Sequence, residues 1–407
     1  MSLAVLQVIP SLSKVHGGPS RAIRLIEAVL RERGVTVLTV ASDDDGPGRR
    51  VARPSGVEID EEGVRRVYFA KRFEFYATAP GFVAWAWRNV RRFDVVHAHA
   101  LFSFMSVVAA SVARLRGVPY VLRPLGTLSA YGLAERRPWL KRVSLTLIER
   151  PLLRRAAAVH CTSVAEAADV RALVPEANAV VIALAAPEVA DACDGRDRGD
   201  ASCAAADTPL FADAPDAASD GLVVLFLSRL DRKKNIECLL TAWAILLRAQ
   251  PQAQLVIAGA GEASYVATLH ETAEHVGACA NVHWVGQVEG ARKRALLERA
   301  AVFVLPSFNE NFGIAAVEAL AAGVPCVLSD GVAVAAEVAS AGAGIVVRPE
   351  PDAVAGAIQA LLKDAQSRAR MATAARQLAR DRFSPAALGE RLQKLYEAVA
   401  RIRSHLA

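Results

Sequence analysis

Short apolar runs recur along this chain, and most are followed by a polar or glycine-bearing loop and then by residues at helical spacing. In the first half the runs are 3–10, 35–40, 64–70, 94–97, 120–122, 157–160 and 179–184. In the second half they are 222–227, 254–261, 281–288, 300–307, 325–330 and 344–349. Runs this short, apolar at consecutive positions, suit strands buried on both faces. Strands that alternate with helices build open parallel sheets with helices on both sides. The pattern fails from 186 to 220, where Ala, Asp, Gly, Ser and Pro dominate and no packed core can form. The expected fold class is therefore α/β, with two Rossmann-like domains. The first covers 1–185 and the second 221–385. An acidic linker at 186–220 divides them, and a final helix at 386–407 packs back on the first.

Composition narrows the class. A chain of 407 residues that is 53% apolar has material for two full cores and is not largely disordered. No apolar run approaches the length of a membrane span. The opening MSLAVLQVIPSLSK lacks a basic leader and reads as the first strand, which points to a cytoplasmic protein. Cys161, Cys193, Cys203, Cys238, Cys279 and Cys326 show neither C-x-x-C nor zinc spacing and read as reduced core residues. The net charge of +6 is unevenly placed. Residues 136–155 hold seven Arg/Lys against one Glu, whereas 186–220 hold nine Asp/Glu against two Arg. The basic segment interleaves Trp139, Leu140, Val143, Leu147 and Ile148 with its charges. It is open to two readings, an amphipathic helix meeting anionic lipid headgroups or an ordinary helix with a solvated basic face. Nucleic acid is disfavoured, because no aromatic array accompanies the charge.

The stretch 302–325 carries the sharpest site signal. A buried-strand run ends at Pro306-Ser307, a loop follows, and apolar residues at helical spacing begin at Ile314 and stop at Gly323-Val324-Pro325. Glu310 falls in the loop and Glu318 eight residues on, about two turns away. Phe312-Gly313 falls where the helix begins, and free backbone N–H groups there suit an anionic or hydroxyl-rich ligand. A carboxylate accepts several hydrogen bonds and so suits sugar hydroxyls.

Three other loops end strands. Ser11–Ser20 contains Gly17-Gly18 before a helical stretch but lacks the G-x-G-x-x-G and G-K-[ST] patterns. After 222–227 come Arg229 and Lys234, two cations that can face a diphosphate and stabilise the charge it gains on leaving. FDVVHAHA ends a strand with His97 and His99 on one face, and a histidine there is either a substrate contact or base or a satisfied core residue. Asp43-x-Asp45 sits before Gly-Pro-Gly and reads as a solvated turn, with no metal assigned. Ser163 and Glu166 have capping-box spacing.

Taken together, Glu310 and Glu318 resemble the E-x7-E signature of family 4 retaining glycosyltransferases of GT-B fold, a group that includes bacterial exopolysaccharide and lipopolysaccharide enzymes. The resemblance covers most of the chain and is strongest over 222–349. It implies transfer of a hexose from a nucleotide-diphospho-sugar to a hydroxyl of a glycan acceptor, lipid-linked, without a metal and with no cofactor beyond the nucleotide sugar. Glu310, Asn311, Phe312 and Gly313 would then hold the donor sugar and Glu318 its ribose. Gly17-Gly18 would lie over the diphosphate, Arg229 and Lys234 would neutralise it, and His99 would line the cleft as a catalytic group. It also implies an acceptor-binding first domain, closure about the linker, and work at the inner face of the plasma membrane. Leu125 stands where the family carries His or Arg, and Asn235 where it carries Gly. A nucleotide-sugar sensor without transfer, or an epimerase on the same fold, is the alternative.

Overall fold

A computed structural model describes residues 3–13, 15, 18–46, 48–134, 138–186 and 222–406. Gly17 and, apart from Ala186, the acidic stretch at 186–220 lie outside the described residues. The chain forms two units, Met1–Ala185 with Pro385–Ala407, and Ala186–Ser384.

The first unit is built on eight strands: β1 Ala4–Ser11, β2 Thr36–Ser42, β3 Glu58–Glu61, β4 Val64–Phe69, β5 Val95–His99, β6 Tyr120–Arg123, β7 Ala158–Cys161 and β8 Ala179–Val181. Their order is β3-β4-β2-β1-β5-β6-β7-β8. All pairings are parallel except β3 with β4. Strand β3 has no counterpart among the expected strands, because Glu58–Glu61 is short, charged and at the sheet edge. Its hairpin turns through Glu62 and Gly63, both at positive φ.

Side-chain alternation divides this sheet between two cores. Val96, Ala98, Tyr120 and Leu122 pack with Phe82, Met105 and Ala109 on one face. Val95, Val121 and Ala158 pack on the other with Ile23 and Ile26 of helix Gly18–Glu32 and with Leu388, Leu392 and Tyr396 of helix Pro385–Leu406. Each such aliphatic side chain contributes about 1.5–3 kcal/mol on burial. The second face also carries a fully buried polar row. Gln7 donates to the Tyr396 hydroxyl at 3.1 Å, that hydroxyl meets His97 Nδ1 at 2.7 Å, and His99 Nε2 meets Gln7 Oε1 at 2.6 Å. These bonds tie the C-terminal helix to the centre of the sheet, at about 1 kcal/mol net each.

The second unit has six parallel strands: β9 Val223–Leu227, β10 Gln254–Ala258, β11 Val282–Gly286, β12 Ala300–Leu305, β13 Cys326–Ser329 and β14 Gly344–Val347. Their order is β11-β10-β9-β12-β13-β14. The chain moves outward from β9 to β11 and then returns to the other side of β9. The carboxyl ends of β9 and β12 therefore flank the topological switch point, where open α/β sheets bind ligands. Among the described residues, no helix is long and apolar enough to cross a membrane. Cys161, Cys238 and Cys326 are buried, but Cys279 is exposed and so is no core residue.

Candidate active site

Two loops at the switch point of the second unit, with the helix that follows the second, carry the expected donor residues. After β9 the chain passes exposed Arg229 and enters a single 3-10 turn, Arg232–Lys234, capped by the Asp231 carboxylate on Lys233 N. The turn ends at Asn235, which has φ 55°. Asn tolerates this left-handed conformation better than most side chains, which explains how it replaces glycine there. Its amide donates to the Pro349 carbonyl at 3.2 Å. The turn buries Lys234 and aims its ammonium at Glu310, with which it forms an ion pair. Burial, then the like charges of Lys233 and Arg229, push Lys234 down to about 7, against the pull of Asp231.

Glu310 leaves the end of β12 on a loop held by main-chain bonds to the next loop. Glu310 N donates to the Gly331 carbonyl at 2.9 Å, and Ala333 N donates to the Glu310 carbonyl at 3.0 Å. A Cβ at Gly331 would stand 2.3 Å from the Phe308 carbonyl, so only glycine permits this approach. Gly313, at φ 93°, then opens helix Ile314–Ala322, and no side chain caps its first N–H groups. Because the helix starts at Ile314, Glu318 is its fifth residue, little more than one turn in rather than two. Glu318 accepts from Lys293 Nζ at 2.6 Å, with Lys293 on helix Gly290–Arg299. Both glutamates of the pair thus face an ammonium. Nothing in the sequence marked Lys293, which lies 25 positions before Glu318 on another helix.

The remaining expectations are redistributed. Phe312 is buried edge-to-face against Phe383, with ring centroids 5.9 Å apart, so only its main chain is open to a ligand. Gly18 begins helix Gly18–Glu32, and added bulk there would meet nothing within 4 Å. His99 is fully buried and bonded to Gln7. Burial first, then the nearby Arg123 charge, hold its ring well below the usual histidine range. A neutral ring without solvent contact matches the core-histidine reading. Arg123 lies in the same buried row and does not stand in for the residue missing at Leu125, which itself adopts φ 59°. Glu166 completes only half of the expected capping box. Ser163 Oγ accepts from Glu166 N at 3.1 Å, but the Glu166 carboxylate turns to Thr162 N at 2.7 Å and Gly126 N at 2.6 Å. It thereby pins the loop after β6 to the end of β7. The Asp43–Asp45 carboxylates are bonded to neighbouring loops, with Lys71 after β4 holding Asp43 and Asp44 and Ser13 after β1 holding Asp45, so the turn expected to be solvated is partly buried.

The family comparison decides what this arrangement belongs to. Residues 17–185 match the model "Glycosyl transferase 4-like domain", and residues 209–378 match "Glycosyl transferases group 1". The chain belongs to the GT-B glycosyltransferases. A curated relative of this GT-B chain is a phosphatidyl-myo-inositol mannosyltransferase of Mycolicibacterium smegmatis, 32% identical over 201 residues, 48% of this chain and 50% of that protein. The chain thus spans about half the length of that curated relative. Among solved structures, sucrose-phosphate synthase from Thermosynechococcus elongatus superposes with a TM-score of 0.73 at 22% identity, over 97% of this chain and 99% of that one. HepE of Anabaena, in complex with UDP, gives 0.71 at 18% identity, over 98% and 100%. These two likenesses show the GT-B fold.

Proposed function

We propose that this GT-B protein is a metal-independent retaining hexosyltransferase that uses a nucleotide-diphospho-sugar and a glycan acceptor. The observation that carries the proposal is the Lys234–Glu310 ion pair at the switch point, with exposed Arg229 on the same loop. A diphosphate arriving beside Arg229 and Lys234 competes for the Lys234 ammonium and frees the Glu310 carboxylate for hydroxyls of the donor sugar. Glu318, in the helix that follows, accepts from the ribose hydroxyls. The open N–H groups at Gly313 and Ile314 add donors near the sugar or its phosphate. As the acceptor hydroxyl attacks the anomeric carbon, the bond from that carbon to the diphosphate oxygen breaks. The departing oxygen, on the same face of the sugar, takes the hydroxyl proton, and Arg229 and Lys234 stabilise the charge that develops on the diphosphate. The first unit, with the loop after β1 at Gly18, binds the acceptor. His99 acts in this scheme as a packed support for that unit and not as a base.

The acceptor we propose is lipid-linked, in polysaccharide synthesis at the inner face of the plasma membrane. Support comes from the helical segment Pro138–Arg155, continuous through a π-turn at Leu145–Glu149. Trp139, Val143, Leu147 and Ile148 are exposed on it beside Lys141, Arg142, Arg150 and Arg154. Leu145, Leu152 and Leu153 anchor its other side in the core. An exposed apolar row flanked by cations suits an anionic bilayer, at about 1 kcal/mol per cation near the surface.

Calorimetric titration with UDP, GDP and ADP in chelator tests the donor half. Micromolar binding of one nucleotide without metal is expected, and UDP, which HepE binds, is the first to try. Silence across the panel would contradict the diphosphate role given to Arg229 and Lys234.

A further inference from the structure

Among the described residues, eight that are not glycine have positive φ, and four of them gather around one buried carboxyl group. They are Tyr76 and Ala77, at φ 56° and 48°, and Ala100 and Phe102, at 75° and 55°. Alanine and aromatic side chains lack the short polar arm by which Asn or Asp bonds locally in this conformation, so the surroundings must hold it. Residues 100–103 form the loop after β5. In this sheet the chain leaves β1 on one side and returns on the other at β5, so that loop flanks the switch point of the first unit.

The carboxyl belongs to Glu149, which closes the π-turn Leu145–Glu149, a helix irregularity often found at functional positions. Leu147, Ile148 and Arg150 around it are exposed, whereas Glu149 itself is 1% exposed. Its Oε1 accepts from Phe102 N at 3.0 Å. The Ser144 hydroxyl bonds to it from the same helical segment and accepts in turn from the Tyr76 hydroxyl. One carboxyl therefore joins both strained segments. The ends of the loop are fixed elsewhere, Ala100 N to the Arg123 carbonyl at 2.9 Å and the Ser103 carbonyl to Val107 N at 3.0 Å. Its middle depends on Glu149. Among the described residues no cation pairs with that carboxyl: Arg150 donates to the Leu173 carbonyl, and Lys141 donates to the Gly132 carbonyl and lies 6.0 Å from the centre of the Phe102 ring. Tyr76 is the titratable group that meets it from another element. Glu166, which holds Gly126 N beside Leu125 on the next loop, also has both donors of Thr162. Glu149 has fewer, and burial pushes it up to about 7 in spite of them.

We infer that Glu149 is a positioning residue that works as a pH-sensitive latch: its carboxyl holds loop 100–103 in its strained shape, and the loop opens more readily once the carboxyl is ionised. Lifting the loop gives the carboxylate to water, where its ordinary value is 4.5. The closed group exchanges its proton at about 7, so rising pH favours the open form between 4.5 and 7 and adds little above 8. Any ligand that contacts the closed loop is then held more tightly on the acid side of this range. Amide hydrogen exchange on the full chain, followed by NMR and corrected for its intrinsic pH dependence, tests the latch. The opening constant read at Phe102 N–H should rise by up to about seventyfold from pH 5 to 8 and level off beyond. Val96 N–H, bonded to the Pro119 carbonyl, is the core reference and should stay more protected at every pH. Glu149→Gln keeps an acceptor oxygen without the charge, and should leave Phe102 N–H protected and independent of pH. Glu149→Ala removes the acceptor and should leave Phe102 N–H weakly protected at pH 5 as well as at pH 8. The inference is overturned if the parent profile is flat, if Glu149→Gln keeps the parent profile, or if Glu149→Ala protects Phe102 as the parent does. It is also overturned if Phe102 and Val96 are equally protected, since the opening would then be global unfolding. Nucleotide and sugar enter none of these measurements, so the donor-site proposal stands or falls separately.

Discussion

Lys234 offers the most quantitative test of the donor site. Burial and the like charges of Lys233 and Arg229 push its ammonium down to about 7, far below the ordinary lysine value of 10.5. The ion pair with Glu310 opposes that shift, so the changes that follow from this value are upper bounds. The sign follows from which form the diphosphate needs. Below pH 7 the ammonium is already present, and above it the free protein must take up a proton to bind. The charged fraction falls to about one tenth at pH 8 and about one hundredth at pH 9, since each pH unit is worth about 1.4 kcal/mol. If only the ammonium form binds, Kd rises by up to about fiftyfold between pH 7 and 9, or about 2.3 kcal/mol, and by less the more the Glu310 ion pair raises the lysine. The ligand does not account for such a change, because a terminal phosphate has its second ionisation at about pH 6. Titrations at pH 8 in buffers of different ionisation heat should show uptake of about 0.9 proton per nucleotide. Lys234→Arg, which keeps its charge throughout this range, should flatten the profile. A Kd that is constant from pH 7 to 9, with no proton uptake, would refute both the burial argument and the placement of Lys234 at the diphosphate.

Two further outcomes follow from particular contacts. Gly331→Ala places a Cβ against the Phe308 carbonyl and displaces the loop bearing Glu310; transfer should fall at least tenfold while the melting temperature moves by only a few degrees. Burial pushes the Glu149 carboxyl up to about 7, against the hydrogen bond it accepts from Phe102 N. Its folded pKa thus exceeds the unfolded value of 4.5, so its contribution to stability grows as pH falls through 7 and is complete below 4.5. Glu149→Gln should therefore gain up to about 3 kcal/mol over the parent at pH 8 and nothing at pH 4.5, measured by denaturant unfolding.

The fold was legible because buried parallel strands announce themselves as apolar runs, from Leu6 and Val8 in β1 to Val327 and Leu328 in β13. Strand β3 escaped because an edge strand of Glu, Ile, Asp and Glu has no such run. The donor loops were legible for a different reason: Arg229, Lys234, Glu310 and Glu318 sit at fixed distances from strand ends. What the sequence could not show is pairing across elements. Lys293 on Glu318, Tyr396 on His97 and Gln7, and Glu166 on Gly126 each join residues whose spacing carries no pattern. Burial was equally hidden. His99 reads as a site residue by its place at a strand end, yet the neighbouring Gln7 and the helix bearing Tyr396 enclose it. Asn235 shows the converse, a departure from the family pattern that its positive φ makes intelligible.

The central claim is that Glu310 serves the donor sugar while Arg229 and Lys234 serve the diphosphate. It is tested most directly by comparing the parent chain with Glu310→Ala in two assays at pH 7, nucleoside diphosphate binding by calorimetry and sugar transfer by NMR of the product. The account predicts that transfer falls at least a hundredfold, about 2.7 kcal/mol, while nucleotide Kd stays within a few-fold. Transfer that survives the substitution would contradict it.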